Sequence, residues 1–266
     1  MKIAKMSLWL SVIAALLVVV ASVSGLIFKS TYARETPDWA LQGVGQDIVN
    51  LVAVVVLLIA LYFVSKGSIK AYLIWSGVLL YLLYAYVIYA FDIHFNRLFL
   101  VYVAILGLTF YALVSSVIHI RLAELQETFA ARTPTRLVSG FLLVLCLLFY
   151  FLWLGEEIPA LITGSVPTSL ALDGVLTNPV HILDLAFYLP AILLTALLLW
   201  RKKPLGYLLA GPLLVFIILM GAAILAIFLV MSSQGLPTSI GVEVLFALLI
   251  IASLTLSVIY INSVKA

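Results

Sequence analysis

Apolar positions in this chain come in long unbroken runs, with neither strict alternation nor a one-sided stripe. Eight runs, at 6–28, 46–65, 71–91, 97–119, 137–155, 180–200, 205–231 and 240–262, each read as a bilayer-crossing helix. About 20 apolar residues rising 1.5 Å apiece cover the ~30 Å hydrocarbon core. A membrane β-barrel would alternate apolar and polar residues in segments of about ten. Stretches such as 51–64 and 213–230 do not alternate, so the pattern predicts an all-α integral membrane protein with about eight transmembrane helices.

Composition agrees. Hydrophobic residues make up 66% of the 266 and charged residues 9%, with a mean hydropathy of +1.30, against roughly 25% charged in soluble chains. The N-terminus imitates a secretion signal, with Lys2 and Lys5 ahead of an apolar run and Ala21-Ser22-Val23-Ser24-Gly25 after it. The run is longer than the usual 7–15-residue signal core, which predicts an uncleaved first span. With the N-terminus inside, 11 of the 14 Lys and Arg fall on the cytoplasmic side, and Lys29, Arg34 and Arg97 fall outside. The positive-inside rule then places both termini in the cytoplasm of a plasma membrane. The acids go the other way: 9 of 11 fall at or near the outer face, all but Glu124 and Glu127. Acids contribute little to orientation, so this asymmetry is separate information and points to an outward-facing site. No basic stripe with interleaved aromatics is present, which argues against nucleic acid as a partner. The lone Cys146 sits in an apolar run and has no intrachain partner.

Two inner hairpins look alike. Lys66-Gly67-Ser68-Ile69-Lys70-Ala71-Tyr72-Leu73 and Arg201-Lys202-Lys203-Pro204-Leu205-Gly206-Tyr207-Leu208 are both basic, with a small residue and Tyr-Leu opening the next span. Upstream of each lies a polar pair three residues apart, Asp47 and Asn50 in span two, His181 and Asp184 in span six. The pattern suggests one polytopic domain built from two parallel four-helix repeats, 1–133 and 134–266, of the kind found in some transporters.

The sharpest segment runs from Thr177 to Pro190. Asn178 followed by Pro179 suits a helix start, and His181, Asp184 and Tyr188 then share one helix face. A carboxylate one turn from an imidazole can set its tautomer, raise its basicity or join it on a metal, making His181 and Asp184 the metal candidates. Span three ends in Tyr81, Tyr84, Tyr86 and Tyr89, ahead of a short turn holding Asp92, His94, Asn96 and Arg97 that could lean over span six. Gly155-Glu156-Glu157 leads into a loop of some 24 residues, of which 158–162 would re-enter the membrane or lie on it as a lid. Asp47 and Glu243 are acids in apolar surroundings and call for partners. On the inner side, Leu122, Leu125 and Phe129 are spaced like a short helix lying on the membrane. Gly221-Ala222-Ala223 reads as helix packing. Phosphate-loop, His-Glu-x-x-His, Gly-x-Ser-x-Gly and Cys-x-x-Cys patterns are absent, and His94 with His181 would be the pair for a bis-histidine haem, which has little support. No cofactor can be named.

The Asn178-Pro179-Val180-His181-Ile182-Leu183-Asp184-Leu185 run, with Tyr89-Ala90-Phe91 and Phe95-Asn96-Arg97-Leu98-Phe99, resembles a family of prokaryotic multi-spanning membrane proteins of uncharacterised activity. The resemblance covers about a third of the chain. It implies a bacterial or archaeal plasma-membrane protein and brings no chemistry with it.

Together these features predict a polar cavity open to the outer face, walled by spans two, three, six and eight. His181 and Asp184 would lie at its centre, with Asp47, Asn50, Asp92, His94, Asn96, Glu157, Tyr188 and Glu243 as neighbours. Three functions are open: a transporter or permease of a small polar solute or cation; an outer-leaflet enzyme, with or without a metal, acting on a lipid or isoprenoid; and a non-catalytic subunit or sensor. The partners expected are the lipid bilayer and a small polar ligand or lipid.

Overall fold

The computed structural model describes residues 4–118 and 120–265. Lys2, counted above with the cytoplasmic charges, lies outside them. Eight helices are long and apolar enough to span a membrane: Lys5–Ile27, Pro37–Ser65, Ile69–Phe91, Phe99–Val117, Thr135–Thr163, Pro179–Trp200, Pro204–Ser233 and Ile240–Asn262. The described residues form no strand, only an isolated bridge between Phe129 and Val264. Successive spans alternate in direction, so the connections gather the charges onto two faces. One carries most acids (the acidic face) and the other most Lys and Arg (the basic face).

Two boundaries differ from the sequence reading. The second span begins at Pro37 because Thr36 caps it, its hydroxyl accepting the Trp39 N–H, and Pro37 fills the first turn. The fifth span runs on through Pro159 to Thr163 and closes on Gly164 in the left-handed region, φ 67°. The 158–162 segment is therefore neither a re-entrant piece nor a lid; it is a further turn and a half of helix. Only 164–178 is loop, and it contains the short helix Thr168–Asp173.

The first four spans close into a ring, each packed on the next and the fourth back on the first. In the last four, the fifth packs on the sixth, the sixth on the seventh and the seventh on the eighth. Among the described residues no comparable helix contact joins the fifth span to the eighth. Instead Phe149 and Phe246 face one another there, ring centroids 6.1 Å apart. The seventh span also packs on the second and third and so binds the halves together. A Cβ on Gly45 would lie 2.5 Å from the Ile227 backbone, so only glycine permits that approach. The short helix Leu122–Glu127, at the basic face, corrects another expectation. Leu125 and Phe129 are buried, and Phe129 packs on Tyr207 and Tyr260 at 5.1 and 5.2 Å, so the apolar face docks on protein instead of lying on lipid.

Candidate functional site

The sixth span is built in three pieces. Asn178 Oδ1 accepts the N–H groups of Val180 and His181 at 3.0 and 3.1 Å, which holds His181 in the first turn. A π-helical turn follows over Asp184–Tyr188, closed by Leu189 N–H donating to the Asp184 carbonyl, and Pro190 comes next, with no N–H to donate. Such wide turns are frequent at functional sites.

His181 and Asp184 do not bond to each other; each is taken by an aromatic or acidic partner from another span. Trp153, Glu156 and Glu157 lie on one flank of the fifth span, at i, i+3 and i+4. Glu157 Oε1 stands 2.7 Å from His181 Nδ1. The Trp153 ring lies over the imidazole at 4.2 Å, while its Nε1–H donates to Asp184 Oδ2 at 2.8 Å. Tyr84, from the third span, donates to Asp184 Oδ1 at 3.1 Å. An ionised carboxylate only accepts, so Nδ1 carries the proton shared with Glu157, and Nε2 is left to face other groups. Its nearest acid is Glu156 Oε2 at 3.9 Å, beyond hydrogen-bond reach.

The 164–178 loop bridges the mouth. Ser169 donates its hydroxyl to Glu156 Oε1 at 2.6 Å, and Gln42 and Thr36 of the second span donate to the Asp173 side chain and carbonyl at 2.7 and 3.0 Å. Burial pushes the Asp173 carboxyl up to about 6, helped by the neighbouring Asp38 and Glu156 and opposed by the Gln42 bond.

Beneath this mouth lies a cavity of about 500 Å³. Glu156, Ser169, Asp173, Asn178, His181 and Asp184 supply its polar end. Its depth is apolar, lined by Leu145, Phe149, Leu189, Ile192 and Phe216, and the seventh and eighth spans carry that apolar wall up to the mouth with Phe228, Met231 and Val242. Below Phe216, Leu199, Leu208, Leu213 and Leu214 are packed and buried, so the cavity is blind toward the basic face. Tyr188 forms part of the wall, stacked on Phe216 at 4.6 Å. The walls include the second, third, sixth and eighth spans as expected from sequence, but also the fifth and seventh, and the interior is mostly apolar where a polar one was expected. The acids do not coat it because hydroxyl, indole and imidazole donors already hold them.

The other sequence candidates lie elsewhere. Asp47 and Asn50 are fully buried among the first four spans. His94 does not reach over span six: Glu35 accepts its backbone N–H at 2.9 Å and meets its Nδ1 at 2.8 Å. Asn96 ties Thr31 O and Leu98 N. Asp92 is pushed up to about 6 by burial, then by Glu35 and Asp173, against the pull of His94. Glu243 is half-buried near the start of the eighth span and does not line the cavity. Each of the two histidines thus pairs with its own carboxylate, in separate places. Sequence reasoning missed Trp153 as a partner of both His181 and Asp184; its spacing from Glu156 and Glu157 was the available signal. Among the described residues no group of three or more His, Cys, Asp or Glu side chains is placed to hold a metal ion. His181 Nε2 and Glu156 Oε2 offer two donors at most.

Compared with known proteins, the chain matches no protein-family model, no curated protein and no solved structure.

Proposed function

We propose that this polytopic membrane protein takes a lipid-class amphiphile into the cavity between its halves, on the outer side of a prokaryotic plasma membrane. The polar head lies against His181, Asp184 and Glu156, and the chain lies along the seventh span. One observation carries the reading: a blind cavity is polar along one side of its mouth and apolar through its depth. Outer placement rests on the positive-inside count.

The His181–Glu157 pair gives the head its chemistry. With Nδ1 held by Glu157, Nε2 can accept a hydrogen bond or a proton from a hydroxyl or ammonium group, the arrangement of a general base. Photolabelling with a diazirine-bearing long-chain alcohol tests the assignment. Labels are expected on the seventh span between Phe216 and Met231, in competition with the unmodified alcohol. Labels confined to outward residues such as Phe151 and Leu248 would reject it.

A second reading, transport, is favoured by the interrupted sixth span, since broken helices mark many carrier sites. It requires flux in proteoliposomes that Asp184→Asn abolishes.

A further inference from the structure

A second carboxylate is enclosed outside that cavity, behind Tyr89, which donates to it and lines the cavity wall. Asp47 has no exposed surface and is surrounded by the first four spans and the turn that joins the first two. Its Oδ2 accepts the Tyr32 hydroxyl at 2.6 Å and its Oδ1 the Tyr89 hydroxyl at 3.0 Å. The ion pairs among the described residues all lie elsewhere, so no cationic side chain neutralises it. An ionisable group inside a membrane span is costly and marks a functional site by default.

Four fully buried side chains around it each carry a polar atom without a hydrogen-bond partner: Ser22 Oγ, Asn50 Nδ2, Tyr86 Oη and Tyr102 Oη. Ser22 and Asn50 come close to hydrogen-bond reach of the Asp47 carboxyl, Tyr86 to that of Ser22 and Tyr102 to that of Asn96, each short of good geometry. The Tyr102 ring packs on Tyr86 and Tyr89 at 6.1 and 5.2 Å. The carbonyl of Asn50, by contrast, accepts from both Gln46 and Tyr81. More than about nine in ten buried polar groups are paired; of these four, Asn50 Nδ2 is a donor turned toward the carboxylate, and the three hydroxyl oxygens are left to accept from or ligate something further. Gly25 makes room for the carboxylate itself, since a Cβ there would collide with Asp47 Oδ2.

Charge and donor type choose the occupant. There is one carboxylate, the other donors are neutral oxygens, and neither His nor Cys is present. Oxygen donors suit hard cations. A monovalent ion leaves the buried complex neutral, whereas a divalent ion strands a net charge at high desolvation cost. We propose that Asp47, with the hydroxyls of Ser22, Tyr86 and Tyr102, forms a buried site for a sodium-class monovalent cation. This stands apart from the amphiphile reading, because it uses none of the cavity's polar residues.

The test is thermal unfolding of the full chain in detergent, with sodium chloride replacing choline chloride at constant ionic strength and one alkaline pH. Ligand that binds only the folded state raises Tm by mass action, so Tm should climb and saturate with sodium. Tyr86→Phe and Ser22→Ala, which leave the carboxylate in place, should shift the half-saturating sodium concentration upward by about tenfold. Asp47→Asn, where it folds, should abolish the response. A wild-type Tm indifferent to sodium overturns the proposal. So does an equal response in every variant, Asp47→Asn included.

Discussion

Asp47 in the second span and Asp184 in the sixth each accept two hydrogen bonds from aromatic side chains, from Tyr32 and Tyr89 in one case and Tyr84 and Trp153 in the other. Yet Asp47 is sealed inside a closed ring of helices, and Asp184 faces a cavity. The two hairpins share a local geometry. Each joins its spans by three residues with the middle one at positive φ, 90° at Gly67 and 53° at Lys202, and each closes with the same pair of backbone bonds. That closure recurs after the seventh span at Gly235, so alone it marks a helix end and not a duplication. The register is more telling. Asp47 lies twenty residues before Gly67 and His181 twenty-one before Lys202. The π turn, bonded i to i+5, accommodates one residue more than an α turn, which is the size of that offset. The closed polar nest and the open site differ in whether the last side of a set of four helices is shut.

Substitutions can break that comparison, and the largest effect should come where the halves meet. Gly45→Val drives a side chain into the Ile227 backbone. It should cost about 3 kcal/mol, the upper end for overpacking, visible as loss of the monodisperse folded species in size-exclusion chromatography. Next comes the contrast between the acids. Asp47→Leu strands the buried Tyr32 hydroxyl at about 1–3 kcal/mol and puts an apolar side chain into the sealed polar nest, while Tyr89 keeps the Gly43 carbonyl as acceptor. Asp184→Leu frees the half-buried Trp153 N–H and the Tyr84 hydroxyl at the cavity wall, and should cost less, about 1 kcal/mol. Equal Tm losses in the pair would erase the distinction between sealed and open. Third, His181→Ala should lower photolabelling of the seventh span by about tenfold or more with little change in Tm, and Glu157→Gln by less, since a neutral amide still orients the ring while losing the charge-assisted bond.

The smallest effect concerns pH. The Asp173 carboxyl is raised by burial to about 6 in the folded chain, from an ordinary 3.8. The folded state thus holds the proton more tightly than the unfolded one, and this contribution is present below the ordinary value and lost as pH rises through about 6. Asp173→Asn should be slightly more stable than wild type at neutral pH, with the difference fading in acid. A difference that grows in acid would show that the charged form is the favoured one.

The spans were legible because each is a continuous apolar run, and the inner hairpins because their basic residues interrupt those runs. The helical extension at 158–163 was not, since Pro159 and the preceding acids imitate a helix end while local bonding carries the helix on to Gly164. His181 and Asp184 were legible as a pair from their spacing. Their partners Trp153, Glu157 and Tyr84 come from other spans, and no local pattern connects them. Asp47 was read as a cavity group because sequence gives depth along a helix but not which neighbours close around it.

Helix length has a further consequence. The second, fifth and seventh spans are 29, 29 and 30 residues long, against 19 to 23 for the others. At 1.5 Å per residue the long three reach about 44 Å, well beyond a ~30 Å hydrocarbon layer. The second and fifth carry Gln42, Glu156 and Glu157 near their acidic-face ends, which holds the mouth at headgroup level. A thicker bilayer would submerge that mouth and a thinner one would lift it into water. Membrane thickness is then a setting on the site itself, and bilayers of different acyl length would tune its occupancy with no change to the chain.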